Sequence, residues 1–158
     1  MSNVQLRKAQ SEDVDILFRW LNDPVNIAAK LATTVPVPYE THCAWFHKRL
    51  EDENSCIWIA TLKLTDIGQA RVQLNSECEL EVDIYVDPDN RGQGIASSIL
   101  SELARKCALT WPTTPLVAVI RNENLASMAL FARAGYKMSE IEAEFRKVRR
   151  KPLDYEEF

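Results

Sequence analysis

A single mixed α/β domain is the fold class this sequence predicts, and three observations carry that prediction. Strand-like runs follow one another at Ile57–Leu62, Gln69–Leu74 and Glu79–Val86, the pattern of an antiparallel meander. A glycine-bearing turn then leads into a helical run, and a short apolar run, Leu116–Ile120, follows that helix. Strand, helix and strand at this length form a right-handed crossover, which makes 79–86 and 116–120 parallel neighbours. With 158 residues and no repeat, low-complexity tract or linker, residues 1–150 read as one domain. Residues 151–158 read as its tail, the polar character setting in at Arg149.

The elements follow from local pattern. Val4-Gln5-Leu6-Arg7 alternates as a half-buried strand does. Ser11 is placed to cap a helix with Glu12 and Asp13 in its first turn, and Val14, Leu17, Phe18 and Leu21 fall at helical spacing until Asn22-Asp23-Pro24 ends or redirects it. After Pro36 and Pro38, a second helix runs over Tyr39–Leu50 with Cys43, Phe46 and Leu50 on one face. Thr65-Asp66 and Asn75-Ser76 supply the turns of the meander. In its third strand Leu80, Val82, Ile84 and Val86 share one face, and Glu79, Glu81, Asp83 and Tyr85 the other. Ala96, Leu100, Leu103 and Cys107 mark the helix after the glycine turn, closed by Trp111-Pro112. A further helix spans Asn124–Ala134, with Leu125, Met128, Ala129 and Ala132 as an apolar stripe and Gly135 as its stop. Tyr136–Ser139 and Glu144–Val148 pair as a last hairpin.

Composition excludes several classes. Hydrophobic residues at 46% and charged residues at 27% describe an ordinary globular chain. A net charge of -4 argues against a general nucleic-acid binder. No apolar run approaches the roughly 20 residues of a membrane span, and Met1–Gln5 enters a strand pattern at once, so a cytoplasmic protein without membrane partners is expected. Cys43, Cys56, Cys78 and Cys107 lie far apart with no metal-ligand spacing, which points to reduced core thiols and to no metal site.

The chemistry concentrates at Val86–Ala96. A glycine-bearing turn between a strand and a helix aims backbone N–H groups and the positive end of the helix dipole at one spot, which suits a phosphate or pyrophosphate. Gly92-x-Gly94-x-x-Ser97 also grazes the dinucleotide fingerprint, but that fingerprint needs an acidic residue in the next strand, and Leu116–Ile120 has none.

Arg91-x-x-Gly94-x-Ala96, placed so, resembles the acyl-CoA pyrophosphate loop of the GNAT N-acetyltransferase superfamily. Asn124-x-x-Ser127-x-x-x-Phe131-x-x-x-Gly135-Tyr136 resembles its second motif, and Asn124, Ser127 and Phe131 fall on one side of a helix. The resemblance implies a mostly antiparallel sheet whose parallel central pair splays apart to admit the pantetheine arm. It implies acetyl-CoA as cosubstrate, held by Ile84, Val86, Arg91, Gly92, Gln93, Gly94, Ile95, Ala96, Asn124, Ser127 and Phe131. It makes Glu81 the candidate base, with Asp83 on its face. Phe131 departs from the pattern: the family often has Tyr there to protonate the leaving thiolate, and Phe has no proton to give.

Leu6-Arg7-Lys8-Ala9, Trp20-x-Asn22-Asp23-Pro24 and Glu40-x-His42-x-x-Trp45-Phe46-x-x-Arg49 resemble the UDP-4-amino-sugar N-acetyltransferases of pseudaminic acid biosynthesis, and less closely the ribosomal-protein N-terminal acetyltransferases. The implied acceptor is the 4-amino group of a UDP-linked deoxysugar, met by His42, Trp45, Arg49 and Lys30. The alternatives are a protein N-terminus, or an acyl-CoA sensor without turnover. Core packing is the favoured reading of Trp20, Trp45 and Phe46 taken singly, and a helical His42 reads as a surface residue. A monomer or a homodimer is expected.

Overall fold

The computed structural model describes residues 3–29 and 35–153. Its seven-stranded sheet has the order β1-β2-β3-β4-β5-β7-β6. The strands are β1 (Val4–Lys8), β2 (Ser55–Leu62), β3 (Thr65–Leu74), β4 (Leu80–Val86), β5 (Leu116–Arg121), β6 (Lys137–Ile141) and β7 (Phe145–Arg150). Every pairing is antiparallel except β4 with β5. The helices are α1 (Val14–Leu21), α2 (Pro24–Ala29), α3 (Tyr39–Glu51), α4 (Ile95–Thr110) and α5 (Leu125–Arg133). Among the described residues no helix is long and apolar enough to cross a membrane.

Two hydrophobic clusters form on the sheet. In the larger, Ile95, Ile99, Leu100, Leu103 and Cys107 of α4 bury against Leu80, Val82 and Val86 of β4 and Leu116, Ala118 and Ile120 of β5. The smaller joins Leu17 and Trp20 of α1 and Phe46 of α3 to Ile57, Ile59 and Tyr85. The alternation expected in β4 therefore holds, one face to each cluster. Gly68 of β3 has no room for a side chain: an added Cβ would lie 2.2 Å from the Tyr85 carbonyl oxygen.

Several local expectations are corrected. Ser11 opens a short 3-10 turn rather than capping α1, and Asp13 accepts the Gln10 N–H at 2.8 Å while Arg7 clasps it through both Nη atoms at 2.8 Å. The first meander turn falls at Lys63 and Leu64, both with positive φ, so Thr65 and Asp66 already belong to β3. A two-residue turn of that hand matches the twist of a hairpin, and this outweighs the residue preference that placed it later. On α3 the buried pair is His42 and Phe46, while Leu50 is exposed. On α5 Phe131 is buried and Met128, Leu130 and Ala134 pack on the core, whereas Leu125, Ala129 and Ala132 face outward. The Asn124–Ser127–Phe131 side thus also meets the core, and of the expected apolar stripe only Met128 packs there. Cys78 is exposed at positive φ, so it is no core thiol. Arg149 and Arg150 lie inside β7, between β5 and β6, where Arg149 pairs with the buried Glu79. The strand therefore outlasts the onset of polar sequence.

Candidate functional site

The parallel ladder between β4 and β5 is short. Leu80 pairs with Leu116 and Glu81 with Val117, and no further pair follows. The Leu80 N–H donates to the Pro115 carbonyl at 2.9 Å, so Leu80 faces β5. Because alternate residues of a strand present their backbone groups to opposite sides, Ile84 turns its N–H and C=O toward the same side, where β5 has moved away. The gap forms a cleft of about 500 Å³. Its walls include Val82 and Ile84 of β4, Ala118, Val119 and Ile120 of β5, and Asn124, Ser127 and Phe131 of α5.

The glycine turn joins β4 to α4. Pro88–Asn90 make a 3-10 turn in which Asp87 accepts the Asp89 N–H at 3.1 Å. Gly92 (φ 78°) and Gly94 (φ 75°) are both left-handed, and a Cβ at either would meet open space. Gly94 precedes α4 with no side chain capping the first turn. The first-turn N–H groups of a helix have no intrahelical partner, so those of Ile95 and Ala96 remain available to a ligand anion. The Arg91 guanidinium is otherwise engaged: Nε donates to the Val86 carbonyl at 2.9 Å and Nη2 to Asp23 at 2.9 Å, with Cζ 5.3 Å from the Tyr85 ring centroid. Val86 is buried and does not line the cleft, and its carbonyl serves this arginine.

Asp23 ties that turn to the α1–α2 corner. It accepts from Tyr85 Oη and from Arg91, both at 2.9 Å, while Trp20 Nε1 donates to Asp87 at 3.0 Å. Burial opposes ionisation of Asp23, and the hydrogen bonds from Arg91 and Tyr85 outweigh it, leaving the carboxyl below its usual range. The Tyr85 hydroxyl is pushed up by burial and by its bond to Asp23.

The floor of the cleft is formed by side chains of β3 and β4 directly opposite one another, Arg71 with Asp83 and Gln73 with Glu81, and the next pair, Gln69 with Tyr85, lines a smaller adjoining cavity. Asp83 accepts from Gln69 Nε2 at 3.1 Å and lies 3.4 Å from Arg71 Nε. Trp45 and Arg49 of α3 cover this floor, with the Arg71 and Arg49 guanidinium carbons 5.0 and 5.9 Å from the Trp45 ring centroid. Burial and the neighbouring Arg49 draw the Arg71 guanidinium down to about 10, so it remains charged at neutral pH. Glu81 is exposed on this floor and lines the cleft.

His42 stands elsewhere than expected. It is 2% exposed, stacked on Phe46 at 6.0 Å, and Nε2 donates to the Val14 carbonyl at 3.0 Å. Burial pulls its pKa below the usual value, so it stays neutral at pH 7. A half-buried helix reads as amphipathic from apolar residues alone, and that is why an inward-facing imidazole was missed. His42 borders a small adjoining cavity of about 30 Å³ and not the main cleft. Phe131 lines the cleft and packs edge-on against Tyr136 at 4.9 Å. Tyr136 is buried in the larger cluster and does not line the cleft. Asn124 Oδ1 accepts the Ser127 N–H at 3.2 Å, so it caps α5 while bordering the cleft. Lys30 lies outside the described residues. Arg71, Gln69, Gln73 and Asn26 are the lining residues that sequence reasoning passed over. The alternation of Gln69, Arg71 and Gln73 on one face of β3 was the signal that could have found three of them.

A family model described as Acetyltransferase (GNAT) domain matches residues 3–137. The chain belongs to the GNAT acetyltransferase family and is an N-acetyltransferase. It is 29% identical over 141 residues, 83% of this chain and 82% of the relative, to a Bacillus subtilis (strain 168) protein with the provisional name phosphinothricin acetyltransferase YwnH. Among solved structures it resembles the spermidine N-acetyltransferase from Vibrio cholerae in complex with CoA and spermine, with a TM-score of 0.84, 12% identity, and coverage of 94% of this chain and 95% of that one. The yncA protein of Salmonella typhimurium with acetyl-CoA gives a TM-score of 0.80, 19% identity, and coverage of 98% and 96%. These likenesses establish the GNAT fold, whose splayed parallel pair is the cleft described above.

Proposed function

We propose that this GNAT enzyme transfers an acetyl group from acetyl-CoA to a primary amine of a small molecule, the donor lying in the β4–β5 cleft and the acceptor over the β3–β4 floor. The observation that carries this reading is the parting of β4 from β5 beyond Glu81 and Val117. Glu81, Asp83 and Arg71 line that gap, and the Gly92–Ala96 turn follows the end of β4 at Val86. The residues fit the donor: two left-handed glycines leave open space for a pyrophosphate, and Ile84 turns an unpaired backbone edge toward an amide-bearing arm. Gly92, Gln93, Gly94, Ile95 and Ala96 would hold the pyrophosphate through their backbones, with Arg91 positioning the loop. Ile84, Asn124, Ser127 and Phe131 would border the arm. Bound acetyl-CoA supplies an activated acetyl group as a thioester.

The acceptor arrives as an ammonium and must lose a proton before it can attack. Glu81 stands at the floor's cleft end, where it can take that proton directly or through water. The neutral amine then attacks the thioester carbonyl. A C–N bond forms, the C–S bond breaks with its electron pair leaving on sulfur, and the extra proton on the nitrogen passes to the thiolate or to solvent. Phe131 offers no proton, so the leaving group departs as thiolate, which a thiol pKa near 8.5 makes tolerable near neutrality.

The specific acceptor we infer is the 4-amino group of a UDP-linked deoxysugar, with Trp45 and Arg49 facing the nucleotide diphosphate. Its support is the resemblance of the N-terminal third together with the cationic wall at Arg49 and Arg71. A protein N-terminus is the second reading. An acetyl-transfer screen against UDP-amino-sugars, peptides and polyamines, read as free CoA released, tests this. Release with the UDP-amino-sugar is expected; release with peptides alone would overturn it.

A further inference from the structure

The acceptor wall carries two guanidinium groups, each with one carboxylate contact longer than 3 Å. Arg71 and Arg49 reach the same Trp45 ring and line the same cleft. Arg71 contacts Asp83 at 3.4 Å through Nε, and Arg49 contacts Asp52 at 3.3 Å through Nη1. Neither contact is a short two-pronged clasp of the kind Arg7 makes on Asp13 at 2.8 Å. The two arginine side chains are only 32% and 30% exposed, so water compensates their charge in part. Two like charges held beside one ring in a half-buried wall favour an anion between them.

The floor also fixes where such an anion would sit relative to the amine. Arg71 stands opposite Asp83, and Glu81 is two residues farther along β4. At the rise of an extended strand, two residues span about 7 Å. An acceptor with its amine at Glu81 would therefore bring a group about that far away to the arginines. A polyamine in the same pose would set a second cation against Arg71 and Arg49.

We propose that Arg71, Trp45 and Arg49 form an anion subsite, and that the enzyme acetylates primary amines bearing a carboxylate or phosphoryl group a short distance from the nitrogen. This rests on the acetyl-CoA reading above. Charge-assisted hydrogen bonds of this kind each change affinity by about ten- to a hundredfold.

The test compares matched acceptors: an amino acid with its amide, a UDP-4-amino-sugar with the free amino sugar, and spermidine. The amide pair reports a carboxylate source and the sugar pair a phosphoryl source. At least one anionic member should exceed its neutral partner in kcat/KM by about tenfold or more, and spermidine should be the poorest acceptor. Arg71→Gln and Arg49→Gln should each raise KM for that anionic acceptor with kcat little changed, lower kcat/KM for it at least about tenfold more than for its neutral partner, and preserve the acetyl-CoA-dependent rise in Tm. Spermidine or neutral amines used as well as anionic ones would overturn the subsite alone. So would variants that lower kcat for both members of a pair equally. Absence of any acetyl-CoA effect on Tm in the wild type would overturn the donor reading beneath it.

Discussion

The two ends of the cleft are built from different material. In the proposed donor region the groups that would face the ligand are backbone: the first turn of α4, the left-handed Gly92 and Gly94, and the edge of β4 around Ile84 beyond its pairing with β5. At the acceptor end they are side chains, set in facing pairs across β3 and β4 and covered by Trp45 and Arg49. Backbone binding depends on conformation and tolerates exchange of most side chains. Side-chain binding depends on charge and can be redirected by one substitution. A family can thus keep one donor and vary the acceptor on a single fold. The seam between the ends is Asp23, which binds Tyr85 of the floor's strand and Arg91 of the donor turn.

Substitutions can break or sharpen that division. The largest effect is expected from Glu81→Gln, which removes the proposed base. Its kcat should fall by about 10²–10⁴-fold at neutral pH, with acetyl-CoA stabilising the variant as it does the wild type. A parallel loss of donor binding would mean that the two ends are not separable. Next comes Gly94→Val, which puts a β-branched residue at φ 75° and fills the open space before α4. It should lower folding stability by about 1–2 kcal/mol and raise the KM for acetyl-CoA, leaving the acceptor KM unchanged in steady-state kinetics.

Asp23→Asn tests the seam. The folded carboxyl titrates below its unfolded value, so its contribution is present above about pH 4 and is lost as pH falls through the folded pKa. The variant should be less stable than wild type at pH 7 by about 1–3 kcal/mol, and the difference should vanish in acid melts. A constant difference across pH would contradict the ionic account. The smallest effect belongs to Phe131→Tyr. If the missing acid matters, turnover should be preserved or rise. A large loss with unchanged melting would mean that the ring's packing on Tyr136, 4.9 Å away, governs the cleft wall.

The same division decides what the sequence disclosed. The left-handed glycine turn before α4 and the Asn124 cap of α5 were legible because glycine and capping preferences act over a few residues. The meander and the parallel crossover were legible for the same reason. Arg71 was not, because its meaning comes from Asp83 across the sheet and Trp45 above it, contacts that no short window contains. His42 and the outward side of α5 were misjudged because tertiary packing, and not helix periodicity alone, decides which side meets the sheet. Arg149 was read as tail since its partner Glu79 lies 70 positions away.

The central claim is that the cleft between β4 and β5 holds acetyl-CoA, and thermal melting with and without that ligand tests it most directly. A ligand at a hundredfold excess over its Kd stabilises the folded state by about 2.7 kcal/mol, which raises Tm by about 5–10 °C for a chain of this size. The account predicts a rise of that order in the wild type and in Glu81→Gln, and a much smaller one in Gly94→Val. No rise in the wild type at millimolar acetyl-CoA would contradict it.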